Sequence, residues 1–528
     1  MRFTEAFRET VMSKAFLVSA ALAAVAVAGT PVQAQKSKDT MRFAVGDSIR
    51  YVEGLFNAGV EGFILDKVVQ DTLLYWDTIE KKLKPQLATE WKRIDDKTLE
   101  FKLRQNVKFH DGSEFSADDV VYTFETAIDP KYNFRLKETR YSYLKSAEKV
   151  DKYTVRIHVN QGSGVDLINI ANQPPILPAS IHSKLADKVD FGRTTIGTGP
   201  YRLASLKDTG ILLEKASTYT WGGSSPVAKI GRIEVSAIGD KQTQMAKVLV
   251  DELDMIFDVD LEQSKDVMEK KKNYTLYVSP TVNFVFTNFD TSNRSVNSMF
   301  GDKRLREAVL SAIDRDALRK VFVPESMKNE PKLTSMCHHW LEPCKADPGP
   351  KLPDFDPARA KKLLAEAGFP NGFDLEILTW APPKQVAEAV AGDLRKVGIR
   401  ASVNSPARNV FTKLRGDGKA VMQVTIWDNS GGQPDIDATA RYFFDDTAQN
   451  YARDTELMEL VNKARVELDQ GKREQMYNRI FGKANEERYM SPIVQFPSLI
   501  IHSKDLVFED ANILYTQGFA LNRVSWAK

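Results

Sequence analysis

Apolar positions along the chain recur at two different spacings, which predict strands and helices in turn. In "TLEFKLR" (98–104) the apolar residues occupy every second position, which predicts a half-buried strand. A turn, "HDGSEF", follows, and then Val120, Phe124 and Ile128 recur every four residues, which predicts a helix with a core-facing stripe. Ser116 precedes this helix as its N-cap, and two aspartates stand in the first turn, where the helix dipole favours anions.

The C-terminal half continues this alternation. In "DKRLREAVLSAIDRDAL" (302–318), Leu305, Val309 and Ile313 fall on one helical stripe. In "FDPARAKKLLAEAG", an aspartate in the N-cap position, a proline at the first helical position and a glycine just past the end delimit another helix. Both segments predict helices packed on one side of a core.

A strand, a helix and a second strand then follow at short spacing. "FDLEIL" alternates as a strand, the next segment repeats apolar residues at helical spacing and closes at Gly398, and "IRASV" (399–403) alternates again. The inward residues of the helix are Val386, Val390, Leu394 and Val397. This pattern predicts a βαβ unit and therefore an α/β fold class.

Length and charge limit the class of protein. The 528 residues exceed what one core ordinarily uses, so two or more lobes are expected. Apolar residues make up 42% and charged residues 27%, as in globular proteins generally. The net charge is only +2, from 73 basic and 71 acidic residues, which argues against nucleic acid as a partner.

The N-terminus has the pattern of a secretory signal peptide. Lys14 precedes an apolar run from Ala15 to Ala28, and Val32 and Ala34 supply the small residues of a cleavage site after Ala34. The alternative, a membrane anchor, would need a longer apolar run. Acidic residues before Met12 suggest that Met12 is the true start, so the first 11 residues would not be translated. Since no cysteine lies near the cleavage site and no later segment is apolar enough to cross a membrane, we expect a periplasmic product without a lipid anchor.

Two cysteines, Cys337 and Cys344, stand close together in "CHHWLEPC". In an oxidising compartment such a pair predicts a disulfide. Two alternatives remain open, which are a pair of free thiols and a metal site that also uses His338 and His339. The spacing matches no standard zinc motif.

Motifs of catalysis are absent from the sequence. The six histidines form no metal-protease pattern, and there is no GxSxG elbow and no P-loop. "GTGPY" lacks the spacing and the following helix of a nucleotide site, so it predicts a turn. Aromatic residues beside Gly or Asn suit a binding cleft, and we note Tyr51, Phe56, Tyr141, Tyr143 and Trp427.

Several long blocks resemble the extracellular solute-binding proteins of family 5, the oligopeptide-, dipeptide- and nickel-binding proteins of ABC importers. The longest block is "LKPQLATEWKRIDDKTLEFKLRQNVKFHDGSEFSADDVVYTFE" (83–125). Further blocks follow in the family's order, namely "GTGPYRL", "DKRLREAVLSAIDRDAL", "DPARAKKLLAEAGFPNG" and "RYMSPIVQF". The resemblance covers essentially the whole chain after the signal peptide.

The resemblance implies a two-lobed periplasmic-binding-protein clamshell with two hinge strands and an extra subdomain in the first lobe. After a signal peptide at 1–34, a discontinuous lobe I would comprise 35–80, 191–290 and 486–528. The extra subdomain would span 81–190, and lobe II 291–485. The hinge would lie near "FVFTNFD" (284–290) and "SPIVQF" (491–496).

The resemblance also suggests ligand-binding residues. Trp427 matches a ligand-contacting tryptophan of the family, and Ser430 stands where the dipeptide type has an aspartate for the ligand's amino group. Asp428 could replace that aspartate only if the loop shifts, so simple dipeptide specificity is not implied. Arg140 and Tyr143 match an arginine and an aromatic residue of the nickel type. Two more residues, Phe63 and Gln173, fall near other pocket positions.

These observations predict a binding protein rather than an enzyme. The expected ligand is a small peptide-like or opine-like compound held between the lobes, with Arg140 on a carboxylate and Trp427 and Tyr143 around it. The expected partners are an inner-membrane ABC permease and its ATPase subunits, and we expect a monomer without a cofactor. Alternatives are a nickel-type metal-chelate or oligosaccharide binder, a secreted hydrolase, and a periplasmic chaperone or sensor partner.

Overall fold

The computed structural model describes most of the chain after the N-terminal segment. The described residues are 38–46, 49–56, 60–77, 79–132, 134, 137–279, 282–295, 298–344, 349–429, 434–508 and 520–528, without the side chains of 60–64, 138 and 139. The predicted signal peptide and the choice between Met1 and Met12 therefore lie outside the described residues.

A seven-stranded sheet is built from distant parts of the chain. Its order is β12-β18-β11-β1-β10-β9-β8, with β1 parallel to both β10 and β11. The strands are β1 (Thr40–Val45), β8 (Tyr201–Lys207), β9 (Gly210–Lys215), β10 (Arg232–Ala237), β11 (Met255–Ile256), β12 (Tyr274–Ser279) and β18 (Ser498–Ser503). Since β18 inserts between β11 and β12, the C-terminal part of the chain completes a sheet begun by the first described strand.

A five-stranded sheet has the order β15-β14-β16-β13-β17. Its strands are β13 (Phe284–Phe289), β14 (Asp374–Leu378), β15 (Arg400–Asn404), β16 (Met422–Trp427) and β17 (Met490–Gln495). Strands β14 and β15 pair in parallel, and helix α11 (Lys384–Lys396) connects them. The inward residues predicted for α11 are all buried, which confirms the βαβ unit.

A four-stranded antiparallel sheet has the order β4-β5-β7-β6 and is covered by helix α2 (Ala117–Ile128). The strands are β4 (Ala88–Asp95), β5 (Thr98–Leu103), β6 (Leu144–Asp151) and β7 (Thr154–Val159). Ser116 accepts a hydrogen bond from the Asp118 amide, and Asp119 accepts one from the Ser116 amide in return. The predicted strand and its capped helix are therefore confirmed, because local signals alone determine both.

The remaining elements connect or flank these sheets. Two small ribbons pair β2 (Leu74–Asp77) with β3 (Lys82–Pro85) and β19 (Leu506–Phe508) with β20 (Val524–Trp526). The other helices are α1 (Val60–Val69), α3 (Lys137–Tyr141), α4 (Asp166–Asn172), α5 (Ala179–His182), α6 (Lys241–Leu249), α7 (Leu261–Lys270), α8 (Lys303–Ala312), α9 (Arg315–Phe322), α10 (Pro357–Glu366), α12 (Arg408–Gly416), α13 (Asp437–Phe444), α14 (Thr455–Val466) and α15 (Gln470–Glu486). Within the described ranges, every helix is too short or too polar to cross a bilayer.

The segment 302–318 forms two helices where one apolar stripe was expected. Helix α8 ends at Ala312, and Ile313 has an extended backbone with ψ 116°. Asp314 then caps α9 by accepting a hydrogen bond from the Ala317 amide. Ile313 is still buried, so the apolar spacing correctly marked core residues while the aspartate cap divided the helix.

The chain passes twice between the seven-stranded and the five-stranded sheets. One passage connects β12 to β13, and the other connects β17 to β18. The passages lie side by side, because β13 pairs with β17 in one sheet and β12 pairs with β18 in the other. Two adjacent connections between two separately packed sheets are the geometry of a hinge.

Candidate ligand-binding cleft

A cavity of about 200 Å³ lies between the four-stranded sheet and the helices beside the five-stranded sheet. One wall consists of residues around the ends of β6 and β7 and the start of α4, among them Tyr143 and Asp166. The other wall consists of Asp437 and Arg441 from α13 and Arg465 from the end of α14. The two walls are therefore about 270 residues or more apart in sequence and meet only through the fold.

Tyr143, the residue before β6, is one of the residues that line this cavity. The hydroxyl oxygen is buried and has no hydrogen-bond partner among the described residues. Burial raises the pKa of Tyr143 well above its usual value, with nearby Asp166 adding to the effect. The group therefore remains a neutral O–H, which can donate one hydrogen bond to a ligand.

Asp166 is the first residue of α4 and is completely buried. Its Oδ2 accepts hydrogen bonds from the Ser163 amide at 2.8 Å and from Arg93 Nη2 at 2.9 Å. Its Oδ1 has no hydrogen-bond partner among the described residues. Burial raises the pKa of Asp166, although the Ser163 amide and Arg93 oppose the shift. Oδ2 is thus held by two hydrogen bonds, whereas Oδ1 is an acceptor without a donor among the described residues.

Arg441 and Arg465 supply positive charge from the opposite wall. The buried Nε of Arg441 has no hydrogen-bond partner among the described residues. The backbone carbonyl of Arg465 accepts a hydrogen bond of 2.7 Å from Ser163 Oγ, so the two walls are in direct contact beside the cavity. The guanidinium of Arg465 is close enough to Asp166 to lower the pKa of that carboxyl group.

Two of the residues suggested by sequence, Arg140 and Tyr143, line this cavity. Arg140 also donates a long hydrogen bond of 3.4 Å to the Gly54 carbonyl, and its charge opposes the raised pKa of buried Asp66. Its side chain therefore connects the cavity with a buried acidic group behind it.

Trp427 and Gln173 are engaged inside the protein and are not among the cavity-lining residues. The indole Nε1 of Trp427 donates to Thr439 Oγ1 at 2.7 Å, and its ring centroid lies 4.6 Å from that of Tyr442. Gln173 is 8% exposed, and its Oε1 accepts a 3.0 Å hydrogen bond from the Tyr141 hydroxyl. Their suggested contact with ligand stays a prediction.

The other suggested residues carry less structural information. Asp428 is half-buried; burial raises the pKa of nearby Tyr442, and the charge of Asp428 adds to that shift. The side chain of Phe63 and the whole of Ser430 lie outside the described part of the structure.

Cys337 and Cys344 form a disulfide with an S–S distance of 2.01 Å. The loop that they close lies against the core around Trp427, since Cys337 and Trp427 belong to the same buried apolar cluster. Within this loop His338 stacks on His339, with ring centroids 4.6 Å apart. The loop thus supports the region below the cleft rather than entering the cavity.

Three cavity residues had no signal in the sequence. Asp166, Arg441 and Arg465 each stand in an ordinary amphipathic helix, where a charged residue predicts only a solvated face. Two of them, Asp166 and Arg441, have a buried polar atom without a partner among the described residues, a property that only the folded structure reveals.

Comparison with known proteins agrees with this architecture. Residues 82–451 match the model of the bacterial extracellular solute-binding proteins, family 5. The glutathione-binding protein GsiB of Escherichia coli K12 is 28% identical over 435 residues, which are 80% of this chain and 77% of the relative. The chain is also similar to the solved structure of the substrate-binding protein CtaP of Listeria monocytogenes, with TM-score 0.80, 18% identity and coverage of 93% and 99%.

A second solved structure, the dipeptide-binding protein of Pseudoalteromonas sp. SM9913 in complex with Met-Leu, gives TM-score 0.72 and 21% identity, with coverage of 92% and 100%. At such identities these structures establish the fold alone. They confirm the predicted two-lobed clamshell of the periplasmic binding proteins.

Proposed function

The chain belongs to the bacterial extracellular solute-binding proteins of family 5, and from this premise we propose that it captures a small peptide-like ligand in the cleft and delivers it unaltered to an inner-membrane ABC permease. The proposal includes periplasmic location without a lipid anchor, a monomeric state and no catalytic step. We also propose that residues 1–34 are a signal peptide.

The proposed lobes follow the sheets. Lobe I contains the seven-stranded sheet, its subdomain at 81–190 contains the four-stranded sheet, and lobe II contains the five-stranded sheet. Strands β13 and β17 pair within the five-stranded sheet, so both belong with lobe II. We therefore shift the proposed boundaries from 290 and 486 to the passages before Phe284 and after Gln495, which would act as the hinge.

One observation carries the proposed capture site. Three residues that line one cavity from both proposed lobes each have a buried polar atom without a partner among the described residues, namely Tyr143 Oη, Asp166 Oδ1 and Arg441 Nε. In folded proteins the large majority of buried polar atoms are hydrogen-bonded, so several unpartnered atoms in one cavity indicate a missing ligand or solvent. Because donors and an acceptor occur together, the cavity suits a ligand with both kinds of group, such as a peptide or modified amino acid.

The first experiment is identification of the compound that co-purifies with the protein. Mass spectrometry of the denatured protein should release a small polar molecule, and that molecule should raise the melting temperature when it is added back. At a hundred times its dissociation constant a ligand stabilises the folded state by about 2.7 kcal/mol. Turnover of this compound by the pure protein would refute the binding function.

A variant of Tyr143 then tests the location of the site. Tyr143→Phe removes a hydroxyl that has no partner among the described residues, so the melting temperature of the variant without ligand should not fall below that of the wild type. Affinity for the co-purified compound should fall by about 2- to 13-fold, which corresponds to one lost hydrogen bond. Tyr153→Phe is the matched control, because that hydroxyl donates to Glu114 on the exposed side of the same subdomain. Wild-type affinity in Tyr143→Phe would show that the ligand lies elsewhere.

A further inference from the structure

The cleft carries more positive than negative charge. Its charged lining residues are Arg140, Arg441 and Arg465 against Asp166 and Asp437. The net charge of the residues that line a cavity determines which ligand charge it accepts, because little water is present there to screen the repulsion between like charges.

Both acidic groups of the cavity already have partners behind the wall. Asp166 Oδ2 accepts from Arg93 at 2.9 Å, which compensates this carboxylate from outside the cavity. Asp437 Oδ1 accepts a 2.7 Å hydrogen bond from the buried Tyr477 hydroxyl. Their charges are therefore partly compensated before any ligand enters.

The guanidinium groups of Arg441 and Arg465 differ in this respect. Among the described residues, neither guanidinium makes a hydrogen bond or a close ion pair, although Arg441 Nε is buried and the charge of Arg465 acts on Asp166. Their neighbours in sequence show what is usual on this surface: Lys463 pairs with Glu459 four residues earlier, and Arg453 pairs with Asp446. Leaving a partly buried guanidinium without a partner costs stability, and an anion in the cavity removes that cost.

The arrangement of donors suits a carboxylate or a similar oxyanion. A guanidinium presents its N–H groups as a planar fork, which matches two oxygens of one carboxylate. Tyr143 contributes a neutral O–H to the same lining, and Asp166 Oδ1 has no donor among the described residues and can accept from an N–H of the ligand.

We infer that the cleft selects acidic ligands, those with at least one more carboxylate or equivalent oxyanion than ammonium group, and that Arg441 and Arg465 determine this selectivity from the second lobe. This inference rests on the proposed binding function, because it specifies the ligand class of the same site. It assigns a role to two residues that family resemblance does not indicate.

Peptides of matched length test the inference directly. Ala-Ala, Ala-Glu and Ala-Lys with free termini carry net charges of zero, minus one and plus one, and binding of each is measured by isothermal titration calorimetry at pH 7.5. Ala-Glu should bind at least about tenfold more tightly than Ala-Lys, since a charge-assisted hydrogen bond contributes about 1.5–3 kcal/mol. Equal affinities, tighter binding of Ala-Lys, or no binding of Ala-Glu would overturn the inference.

Arginine variants identify the source of the preference. Arg441→Gln and Arg465→Gln should each weaken Ala-Glu binding about tenfold or more and leave Ala-Lys binding unchanged or stronger. Lys463→Gln is the matched control, because it removes one positive charge from an exposed position of α14, two residues before Arg465. Arg441→Lys keeps the charge without the planar fork and should retain part of the preference. Equal weakening of all three peptides in Arg441→Gln would indicate a structural role and overturn the assignment.

The outcome also separates this inference from the binding function itself. If the co-purified compound is neutral or cationic and binds with unchanged affinity to Arg441→Gln, the protein is a binding protein but the acidic selectivity is wrong. If no compound co-purifies and none of the three peptides changes the melting temperature, both proposals fail.

Discussion

Gly164 offers the sharpest test of lobe closure. It lies in the loop between β7 and α4, where the first wall of the cleft meets helices α14 and α15. A Cβ atom at this position would approach Arg473 Cδ to 2.8 Å, Arg473 Nε to 2.9 Å and the Glu467 carbonyl oxygen to 3.0 Å. Such distances are too short for a methyl group, so Gly164→Ala would push the two walls apart.

Arg473 cannot move aside easily to relieve this contact. It is 1% exposed and holds Asp435 through two hydrogen bonds, Nη1 to Oδ2 at 2.7 Å and Nη2 to Oδ1 at 2.6 Å. Overpacking of a fixed site costs about 1–3 kcal/mol. Because the clash exists only while the walls touch, the cost falls on the closed state, and ligand affinity should decrease by about 5- to 150-fold.

The assay compares affinity with stability in the same variant. Calorimetry with the co-purified ligand should show the weaker binding, whereas urea unfolding without ligand should change little if the open state predominates there. Gly392→Ala in α11 is the control, since a Cβ there has no atom within 4 Å. Wild-type affinity in Gly164→Ala would mean that the walls do not close on this contact during binding.

Three further changes follow from buried groups. Asp435→Ala leaves the Arg473 guanidinium buried without its partner and should lower the free energy of unfolding by about 3–5 kcal/mol in urea, most of which Arg473→Met in the same chain should restore. Replacing Cys337 and Cys344 by serine opens a loop with a sequence separation of 7 and should lower the free energy of unfolding by about 2.5 kcal/mol, while ligand affinity stays unchanged. Burial lowers the pKa of His338 to about 3, with His339 and Lys81 adding to the shift. As the pH falls below about 6.5, His338 is therefore protonated in the unfolded chain but stays neutral in the folded chain. The free energy of unfolding then decreases by about 1.4 kcal/mol per pH unit down to about pH 3. In His338→Phe this part of the slope should disappear, and an unchanged slope between pH 6.5 and 4 would refute the assignment.

The sequence predicted those elements whose causes are local. Helix α2 has its cap, its anions and its apolar stripe within a dozen residues, and all of them are in the structure. The break between α8 and α9 is also local, but Asp314 can either cap a helix or stand on its exposed side, and spacing alone does not choose. Chain crossings between sheets depend on pairs such as β12 with β18, which only the folded structure or a family resemblance reveals.

The candidate site was less predictable, because its residues are recognised by buried polar atoms that lack hydrogen-bond partners among the described residues. Tyr143 and Arg140 could be suggested from resemblance, since one short segment, "RYSYL", carries both. Asp166 and Arg441 could not, because a charged residue on a helix becomes informative only when its surroundings leave it unpartnered. Trp427 is the opposite case, because the sequence suggests a ligand contact while its indole N–H donates a hydrogen bond to Thr439 inside the protein.

The unpartnered atoms of the cleft also argue that the cavity is a site and not a packing defect. A defect between two lobes would be lined by apolar groups or by polar groups that satisfy one another across it, since unsatisfied atoms destabilise the contact. Here the lobes do satisfy one another beside the cavity, where Ser163 Oγ donates to the Arg465 carbonyl. Three residues that line the cavity, Tyr143, Asp166 and Arg441, each have a buried polar atom without a partner among the described residues. A guest that completes these three groups therefore stabilises the contact between the two walls, and a ligand that binds better when the walls are in contact can drive closure.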